Sequence, residues 1–366
     1  MIYMDHAATT PLCDAAKKVI LEHLDDFGNP SSQYELGRKS RVLIEDARER
    51  IAKCINADPD EIYFTSGGSE ANTWALNNLN VLSSPIEHHS AYAKNHFIAV
   101  DKNGFVNIED LDDAINTGGL INTPDIVACM LVNNEIGTIQ PIDKMIPIIH
   151  DNAVYLHIDG VQAIGHIPVD VKQLKCRSMS MSAHKFCGMK GVGALYINQH
   201  YKNSIDKIIN GGKQERNLRP GTENVIGIVS MAAALEDAIE HMEERNEYVK
   251  NLRDKMINRL LQVEGAHLNG SLEKRVVSNI NIRFDGVSGA RLVTLCDLHG
   301  ICISAGSACN EGNAEPSHVL KAIGLSDEEA LSSIRITLGH TNTMQEIEYA
   351  SNVMTKLVAR IREENL

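Results

Sequence analysis

Short apolar segments that alternate with helical stretches are the feature that most limits how this chain can fold. Five of them follow one another, at Ile62–Thr65, Ile126–Val132, Val154–Ile158, Ser178–Met181 and Val192–Ile197. Apolar strands in alternation with helices are typical of a mostly parallel sheet with helices on both faces. The sequence therefore predicts an α/β domain built on a central sheet.

A second, smaller domain is predicted for the C-terminal part of the chain. A helical pattern over about residues 228–263 follows the last of these strands and leads to shorter elements. Strands are predicted there near 276–282, 301–304 and 334–338, and helices near 289–298, 316–323 and 344–362. The length of 366 residues suits about two domains. We expect a large domain over residues 15–245 and a small α+β domain formed by residues 1–14 and 246–366.

Charge and composition argue against several classes of function. The formal net charge of -13 disfavours nucleic-acid binding, which requires clustered Lys and Arg side chains to displace counterions. We expect no signal peptide and no membrane partner, because the sequence shows no export signal and no apolar run long enough to span a bilayer. The eight cysteines include no C-x-x-C pair, which favours free thiols and a cytoplasmic location.

A glycine-containing turn between a predicted strand and a predicted helix has the composition of an anion site. Residues 62–71 read Ile-Tyr-Phe-Thr-Ser-Gly-Gly-Ser-Glu-Ala. Gly67 and Gly68 allow backbone N–H groups to approach an anion closely at the positive end of a helix, and Ser69 adds a hydroxyl donor. The alternative is an ordinary strand-to-helix turn with a serine cap.

Polar residues follow two further strands, where ligands bind in open α/β sheets. Asp159 ends the third apolar segment, and Gln162 comes three residues later. A carboxylate there can keep a ring nitrogen protonated, although Asp159 is also suited to capping the next helix. Lys185 follows the fourth segment, between Ser182-Ala183-His184 and Phe186. A desolvated lysine has the lowered pKa that Schiff-base formation requires, whereas a solvated loop lysine does not.

Together these three sites match the needs of pyridoxal 5'-phosphate (PLP), which are a Schiff-base lysine, a carboxylate for the pyridine nitrogen and a phosphate cradle. The chain resembles the cysteine desulfurases of the NifS/IscS kind, in the class V branch of the fold-type I PLP enzymes, nearly from end to end. Besides the three sites, the resemblance rests on the segments at residues 3–11, 28–32, 132–138, 219–224 and 304–309.

The resemblance implies a fold, a reaction and a set of site residues. The fold is that of PLP-dependent transferases of type I. Lys185 would hold the cofactor and move the substrate Cα proton, and His88 would stack on the ring and assist proton transfer. The other implied contacts are Asp159 with the ring nitrogen, Gln162 with the phenolic oxygen, Gly68, Ser69, Ser182 and His184 with the phosphate, Thr222 with the phosphate of the other subunit, Asn134 with cofactor and substrate, and Asn29 with substrate.

Arg335 is also singled out by its position in a strand pattern. In Ile334-Arg335-Ile336-Thr337-Leu338 the apolar residues alternate, so Arg335 and Thr337 share the opposite face. A buried arginine needs an anion as its partner. The substrate α-carboxylate is the anion that the resemblance implies, and a structural salt bridge is the alternative.

Cys309 is the residue that points to sulfur transfer. It lies in Gly-Ser-Ala-Cys-Asn-Glu-Gly-Asn-Ala-Glu, residues 306–315, and composition alone would make it one more free cysteine. The resemblance implies instead that Cys309 attacks the sulfur of L-cysteine and carries it as a persulfide, leaving L-alanine. It also implies a homodimer and a sulfur-acceptor protein, either an iron–sulfur scaffold or a tRNA-thiolation protein.

Some residues depart from the commonest pattern of these enzymes, and other functions compete. The departures are Ser69, Tyr34, Gly160, Cys187, Met189 and Lys213, and none removes a catalytic group. Cys187 is interpreted as a packing residue. The rival functions are another class V enzyme, an aminotransferase or a selenocysteine or cystine lyase, and a metal-binding protein. The spacing of His88, His89, His184 and Cys187 fits no standard zinc motif, so no metal is expected.

Overall fold

The computed structural model describes residues 1–92, 97–116, 124–305 and 315–364. The strands are β1 (Ile2–Tyr3), β2 (Ile62–Thr65), β3 (Val81–Ser83), β4 (Ile126–Met130), β5 (Tyr155–Asp159), β6 (Ser178–Ser182), β7 (Gly193–Ile197), β8 (Ala266–Leu268), β9 (Asn279–Phe284), β10 (Ile301–Cys302), β11 (Ser304–Ala305) and β12 (Ser333–Thr337). The helices are α1 (Asp14–Glu22), α2 (Glu35–Cys54), α3 (Gly68–Leu76), α4 (Ile108–Asn116), α5 (Ile142–Asp151), α6 (Val171–Leu174), α7 (Gln214–Leu218), α8 (Val225–Glu240), α9 (Met242–Leu260), α10 (Gly289–Leu298), α11 (His318–Ala322), α12 (Asp327–Leu331) and α13 (Met344–Glu364). Within the described ranges, no helix has both the length and the apolar character needed to cross a membrane.

A six-stranded sheet forms the centre of the large part of the molecule, in the order β2-β7-β6-β5-β4-β3. Only β7 runs against its neighbours, so the predicted mostly parallel sheet is confirmed. Every residue of β4, β6 and β7 is buried, because helices cover both faces. Helices α1, α2 and α8 pack together over one face, while α3 covers the other through Trp74, which contacts Tyr63 edge to face.

A smaller antiparallel sheet, in the order β11-β12-β9-β8, forms the second part. Its core includes Ile280, Ile334 and Ile336 and is closed by α9, α10 and α13. The N-terminus belongs to this part, because β1 pairs with β10 and Met4 lies in the same core. The predicted boundaries at residues 15 and 245 stay a prediction.

The helix predicted over residues 228–263 is in fact two helices. α8 ends at Glu240, and the backbone of His241, with φ -103° and ψ 10°, separates it from α9. Tertiary packing explains the break between the two helices, because α8 is buried against α1 and α2 while α9 packs on α13 in the small part. The three-residue strands β3 and β8 were not predicted, since segments so short carry almost no periodic signal.

A buried ion pair holds an unusual turn in α7. Glu215, Arg216 and Asn217 have φ values of 45°, 54° and 66°, a left-handed backbone that costs about 1–2 kcal/mol per residue outside glycine. The carboxylate of Glu215 accepts hydrogen bonds from Arg48 at 2.8 and 2.9 Å and from the Phe64 backbone N–H at 2.8 Å. These three bonds attach the segment that leads to Thr222 to the edge of the large sheet.

Glu215→Ala is expected to destabilise the protein by about 3–5 kcal/mol, because it leaves the buried Arg48 guanidinium without its main partner. The matched control is Glu45→Ala, which removes a half-exposed partner of the same arginine and should cost less than about 1 kcal/mol. The loss of stability in each variant is measured as the change in the free energy of unfolding in guanidinium chloride. Equal losses for the two variants would contradict the role given to Glu215.

Candidate active site

The largest group of predicted site residues meets at a cavity of about 230 Å³ above the carboxyl ends of β5 and β6. The predicted residues that line it are Gly68, Ser69, His88, Asn134, Asp159, Gln162, Ser182, His184, Lys185 and Arg335. Parallel strands end at the same edge of a sheet, which is why segments far apart in sequence converge here. The small part of the molecule closes the cavity with Arg335 of β12.

Lys185 lies in a tight turn directly after β6, and its amine is turned toward the N-terminal segment. The Nζ donates hydrogen bonds to the backbone oxygens of Ala7, at 2.6 Å, and Ala8, at 2.9 Å. Burial first, and then the positive charge of Arg335, lower the pKa of Lys185 to about 8. A reactive neutral amine is therefore accessible near neutral pH, unlike that of a solvated lysine.

Asp159 ends β5 with a buried carboxylate that is held by neutral groups. Its Oδ2 accepts a hydrogen bond from Asn72 Nδ2 at 2.7 Å, and its Oδ1 accepts from Val161 N at 3.0 Å and Ser180 Oγ at 3.3 Å. Among the described residues, no Lys or Arg forms an ion pair with it. The bond to the Val161 backbone is the local contact predicted by the alternative interpretation, in which Asp159 caps the segment that follows β5. The remaining charge of the carboxylate favours a cation in the cavity, such as a protonated ring nitrogen.

An anion cradle lies at the start of α3. Gly68 packs so closely that an added Cβ would come within 2.6 Å of Val161 Cγ2, so this position has no room for a side chain. Ser69 follows in the first turn, where backbone N–H groups are free of helical partners. Ser182 and His184 complete the wall, and burial lowers the pKa of His184 to about 4, so its ring is neutral at physiological pH.

Arg335 enters the cavity from the small sheet, with its guanidinium only partly paired. Its Nη1 donates to the backbone oxygen of Asn134 at 3.0 Å, and its Nη2 bonds Asp5 Oδ1 at 2.9 Å. Its Nε is buried and has no hydrogen-bond partner among the described residues. The salt-bridge alternative is thus present, and the guanidinium also lines the cavity, where it can meet a carboxylate.

Several predicted residues do not reach this cavity. Asn29 is exposed, and its side chain accepts a hydrogen bond from the Ser31 backbone at 2.9 Å. Thr222 is also exposed and does not line the cavity of its own chain. Cys309 lies outside the described residues. The binding roles of Asn29 and Thr222 and the catalytic role of Cys309 stay predictions. Cys187 faces a second, smaller cavity behind Lys185, and burial raises the pKa of its thiol.

Sequence reasoning missed two side chains that the site depends on. Asp5 is the ion-pair partner of Arg335, and it stands within the N-terminal segment that carried the resemblance. Asn72 bonds Asp159 and lines the cavity. Its signal was available, because it lies four residues after Gly68 and therefore on the same face of α3.

The residues present fit PLP, since three features face one cavity: a desolvated amine, an anion cradle and a buried carboxylate that no described Lys or Arg pairs with. This arrangement defines a PLP-dependent enzyme of fold type I. The chain belongs to the aminotransferase class V family, whose model matches residues 2–350, and its cofactor is PLP. Within the described residues, no cluster of three or more metal-ligating side chains is found.

Within this family, the chain is similar over its whole length to proteins named cysteine desulfurase IscS. The protein from Methanosarcina thermophila is 40% identical over 381 residues, which cover 99% of this chain and 93% of that protein. The protein from Dictyoglomus turgidum is 41% identical over 382 residues, which cover 99% and 95%. Among solved structures, a NifS-like protein from Rickettsia africae has a TM-score of 0.90 at 31% identity and covers 98% of this chain and 99% of that one.

The rate at which the cofactor-free protein captures PLP covalently is expected to rise about tenfold per pH unit and to level off near pH 8, because only neutral Lys185 reacts. Arg335→Met removes a positive charge next to Lys185. The pKa of Lys185 should therefore rise, and the pH midpoint of the capture rate should rise with it. Lys190→Met, which removes a cation outside the cavity, is the control and should leave it in place. The absorption band of the bound cofactor reports capture, and a midpoint near the ordinary lysine value of 10.5 would contradict the desolvated amine.

Proposed function

We propose that this chain is a PLP-dependent cysteine desulfurase that converts L-cysteine to L-alanine and transfers the sulfur to Cys309 as a persulfide. The observation that carries the proposal is the joint presence of Lys185, Asp159 and Arg335 at one cavity in a chain that matches IscS proteins from end to end. A further structural relative, described as SspA in complex with cysteine, has a TM-score of 0.79 at 28% identity and covers 94% of this chain and all of that one.

The residues that line the cavity divide the tasks of holding the cofactor. Lys185 would bind it covalently, Asp159 would pair with the ring nitrogen, and Gln162 would contact the phenolic oxygen. Gly68, Ser69, Ser182 and His184 would hold the phosphate, joined by Thr222 of a second copy of the chain. When bound, PLP withdraws electrons from the Cα of an amino acid and so weakens the bonds around it.

The substrate is positioned by charge and handled by proton transfer. Arg335 would bind the α-carboxylate with its guanidinium, with Asn134 beside it. Lys185 would move the Cα proton once its amine is released, because its lowered pKa suits a base near neutral pH. His88, at the cavity wall, would assist proton transfer.

The sulfur step balances without an outside oxidant. The thiolate of Cys309 attacks the substrate sulfur, the bond between that sulfur and Cβ breaks, and Cβ takes up a proton. L-cysteine and a thiol thereby become L-alanine and a persulfide. The described strand β11 supports this role, because Ser304 pairs with Arg335 in the small sheet. Cys309 itself lies outside the described residues, four positions after Ala305 in the sequence.

The proposal includes the setting in which the enzyme works. A homodimer is proposed because Thr222 is exposed and absent from the cavity of its own chain. The acceptor of the persulfide sulfur is an iron–sulfur scaffold or a tRNA-thiolation protein. A cytoplasmic location is consistent with the free thiols of all seven described cysteines, which a reducing compartment would maintain.

Cys309→Ala is expected to abolish both L-alanine and protein-bound sulfane sulfur formed from L-cysteine, because no other group would accept the sulfur. The variant should still bind L-cysteine and change the cofactor spectrum. Cys302→Ala, a cysteine of β10 in the same part of the chain, is the matched control and should form both products. Normal turnover by Cys309→Ala would refute the nucleophile, and pyruvate in place of alanine would indicate β-elimination.

Arg335→Met should raise the KM for L-cysteine roughly 10- to 150-fold, since a charged hydrogen bond is worth about 1.5–3 kcal/mol. The variant should retain its PLP, because the described contacts of Arg335 are with Asn134 and Asp5. The control is Arg283→Met on the neighbouring strand β9, where the arginine pairs with Glu329 and does not line the cavity. The KM of each variant is measured by steady-state kinetics with alanine as the product. Equal KM values for Arg335→Met and Arg283→Met would refute the carboxylate site.

A further inference from the structure

A chain of hydrogen bonds runs from the interior of the sheet along the wall of the cavity to the ring of His88. Its members are His157 on β5, Asn72 on α3 and Ser90, which follows His88 by two residues. The links are His157 Nε2 to Asn72 Oδ1 at 2.9 Å, Asn72 Nδ2 to Ser90 Oγ at 2.9 Å, and Ser90 Oγ to His88 Nδ1 at 2.7 Å. We call these four residues the His157–His88 relay.

The orientation of the Asn72 amide follows from its neighbours. One side of the amide faces Asp159 Oδ2 at 2.7 Å, and a carboxylate oxygen only accepts hydrogen bonds. The NH2 group of Asn72 must therefore face Asp159 and Ser90, which turns its oxygen toward His157. Because that oxygen only accepts, His157 must donate from Nε2.

The protonation of His157 is consistent with this direction. The ring is fully buried, and burial lowers its pKa to about 4, so it is neutral and carries one proton. With that proton on Nε2, its Nδ1 is free to accept a hydrogen bond from the Ser178 hydroxyl at 2.9 Å. Each polar atom of the ring thus has a partner of the right kind.

The same reasoning determines which nitrogen of His88 carries the proton. Ser90 Oγ accepts a hydrogen bond from Asn72, so its hydroxyl proton is available to His88 Nδ1. The Ser90 backbone N–H, a donor only, also points to this Nδ1 at 3.2 Å. Two donors converge on one nitrogen, so Nδ1 must be unprotonated, and neutral His88 presents Nε2–H to the cavity.

We propose that Asn72 is a positioning residue that, held by His157, at once orients the Asp159 carboxylate and keeps His88 as the Nε2–H tautomer. The proposal deepens the proposed function, because it concerns how two groups of that same site are prepared for reaction. It also explains why a buried asparagine lies one turn after the anion cradle, since the helix that holds the phosphate then aligns the ring carboxylate and His88 together.

The proposal predicts different results for two variants of the PLP-loaded protein. Asn72→Ala removes the donors to both Asp159 and Ser90, so the cofactor absorption band and the His88 tautomer should both change. Ser90→Ala removes the hydroxyl donor to His88 and leaves only the longer backbone N–H contact at 3.2 Å, so the share of the Nε2–H form should fall while the absorption band stays in place. Supporting residues of this kind commonly cost 10- to 100-fold in activity, and we expect a loss of about that size in kcat with little change in KM.

Nitrogen-15 spectra of histidine-labelled protein give the tautomer directly, with His88 assigned from His88→Gln. The expected wild-type result is a single Nε2–H form, and Asn77→Ala, at the other end of α3, should leave it unchanged. If Asn72→Ala does not fold, the pair His157→Gln and His157→Leu replaces it. Glutamine can still donate to Asn72 and should preserve the His88 tautomer, whereas leucine should disturb it.

An Nδ1–H tautomer in the wild type would overturn the proposal, and so would an undisturbed His88 in both Asn72→Ala and Ser90→Ala. This test of the relay does not depend on whether the protein has desulfurase activity. A protein that forms no alanine from L-cysteine and yet shows the expected tautomers would refute the proposed reaction and support the relay.

Discussion

The buried carboxylate of Asp159 is the charge on which the arrangement of the site depends. Removing a carboxylate from water costs several kcal/mol unless dipoles or a counter-charge compensate it. Here Asn72, Val161 and Ser180 supply dipoles, and no Lys or Arg of the described residues supplies a paired charge. The cavity is therefore prepared for a cation, and a protonated pyridine ring would meet that need, with the start of α3 available to hold its phosphate.

The two positive groups of the cavity are kept distinct by their surroundings. The planar Arg335 guanidinium is held in place by Asp5 and by the Asn134 carbonyl. Lys185 lies beside Arg335, and both its own burial and the positive charge of Arg335 lower the pKa of Lys185. One cation is thereby suited to hold a carboxylate and the other to act as a nucleophile and base.

The sheet and most site residues were predictable from local pattern, and the exceptions have physical causes. Asp159, Ser182 and Lys185 follow apolar strands, so their convergence was expected from the parallel sheet. The break at His241 was not, because the helical pattern runs through it and only the packing of α8 and α9 on different partners separates them. Asp5 was missed because a polar residue near a terminus has no distinguishing local signal, and Asn72 was missed although its spacing of four residues from Gly68 places it on the same face of α3.

The sequence by itself determined the fold class, the family and the chemical types of the site residues, because these follow from periodicity and from motifs that are contiguous in the chain. Only the tertiary structure decided which of those residues share a cavity, that Asp5 pairs with Arg335, and that His157 orients Asn72. The reason is that pKa values and hydrogen-bond directions depend on burial and on partners distant in sequence. Asn72 and His157 are far apart in the chain, yet their 2.9 Å contact sets the proton positions at the site.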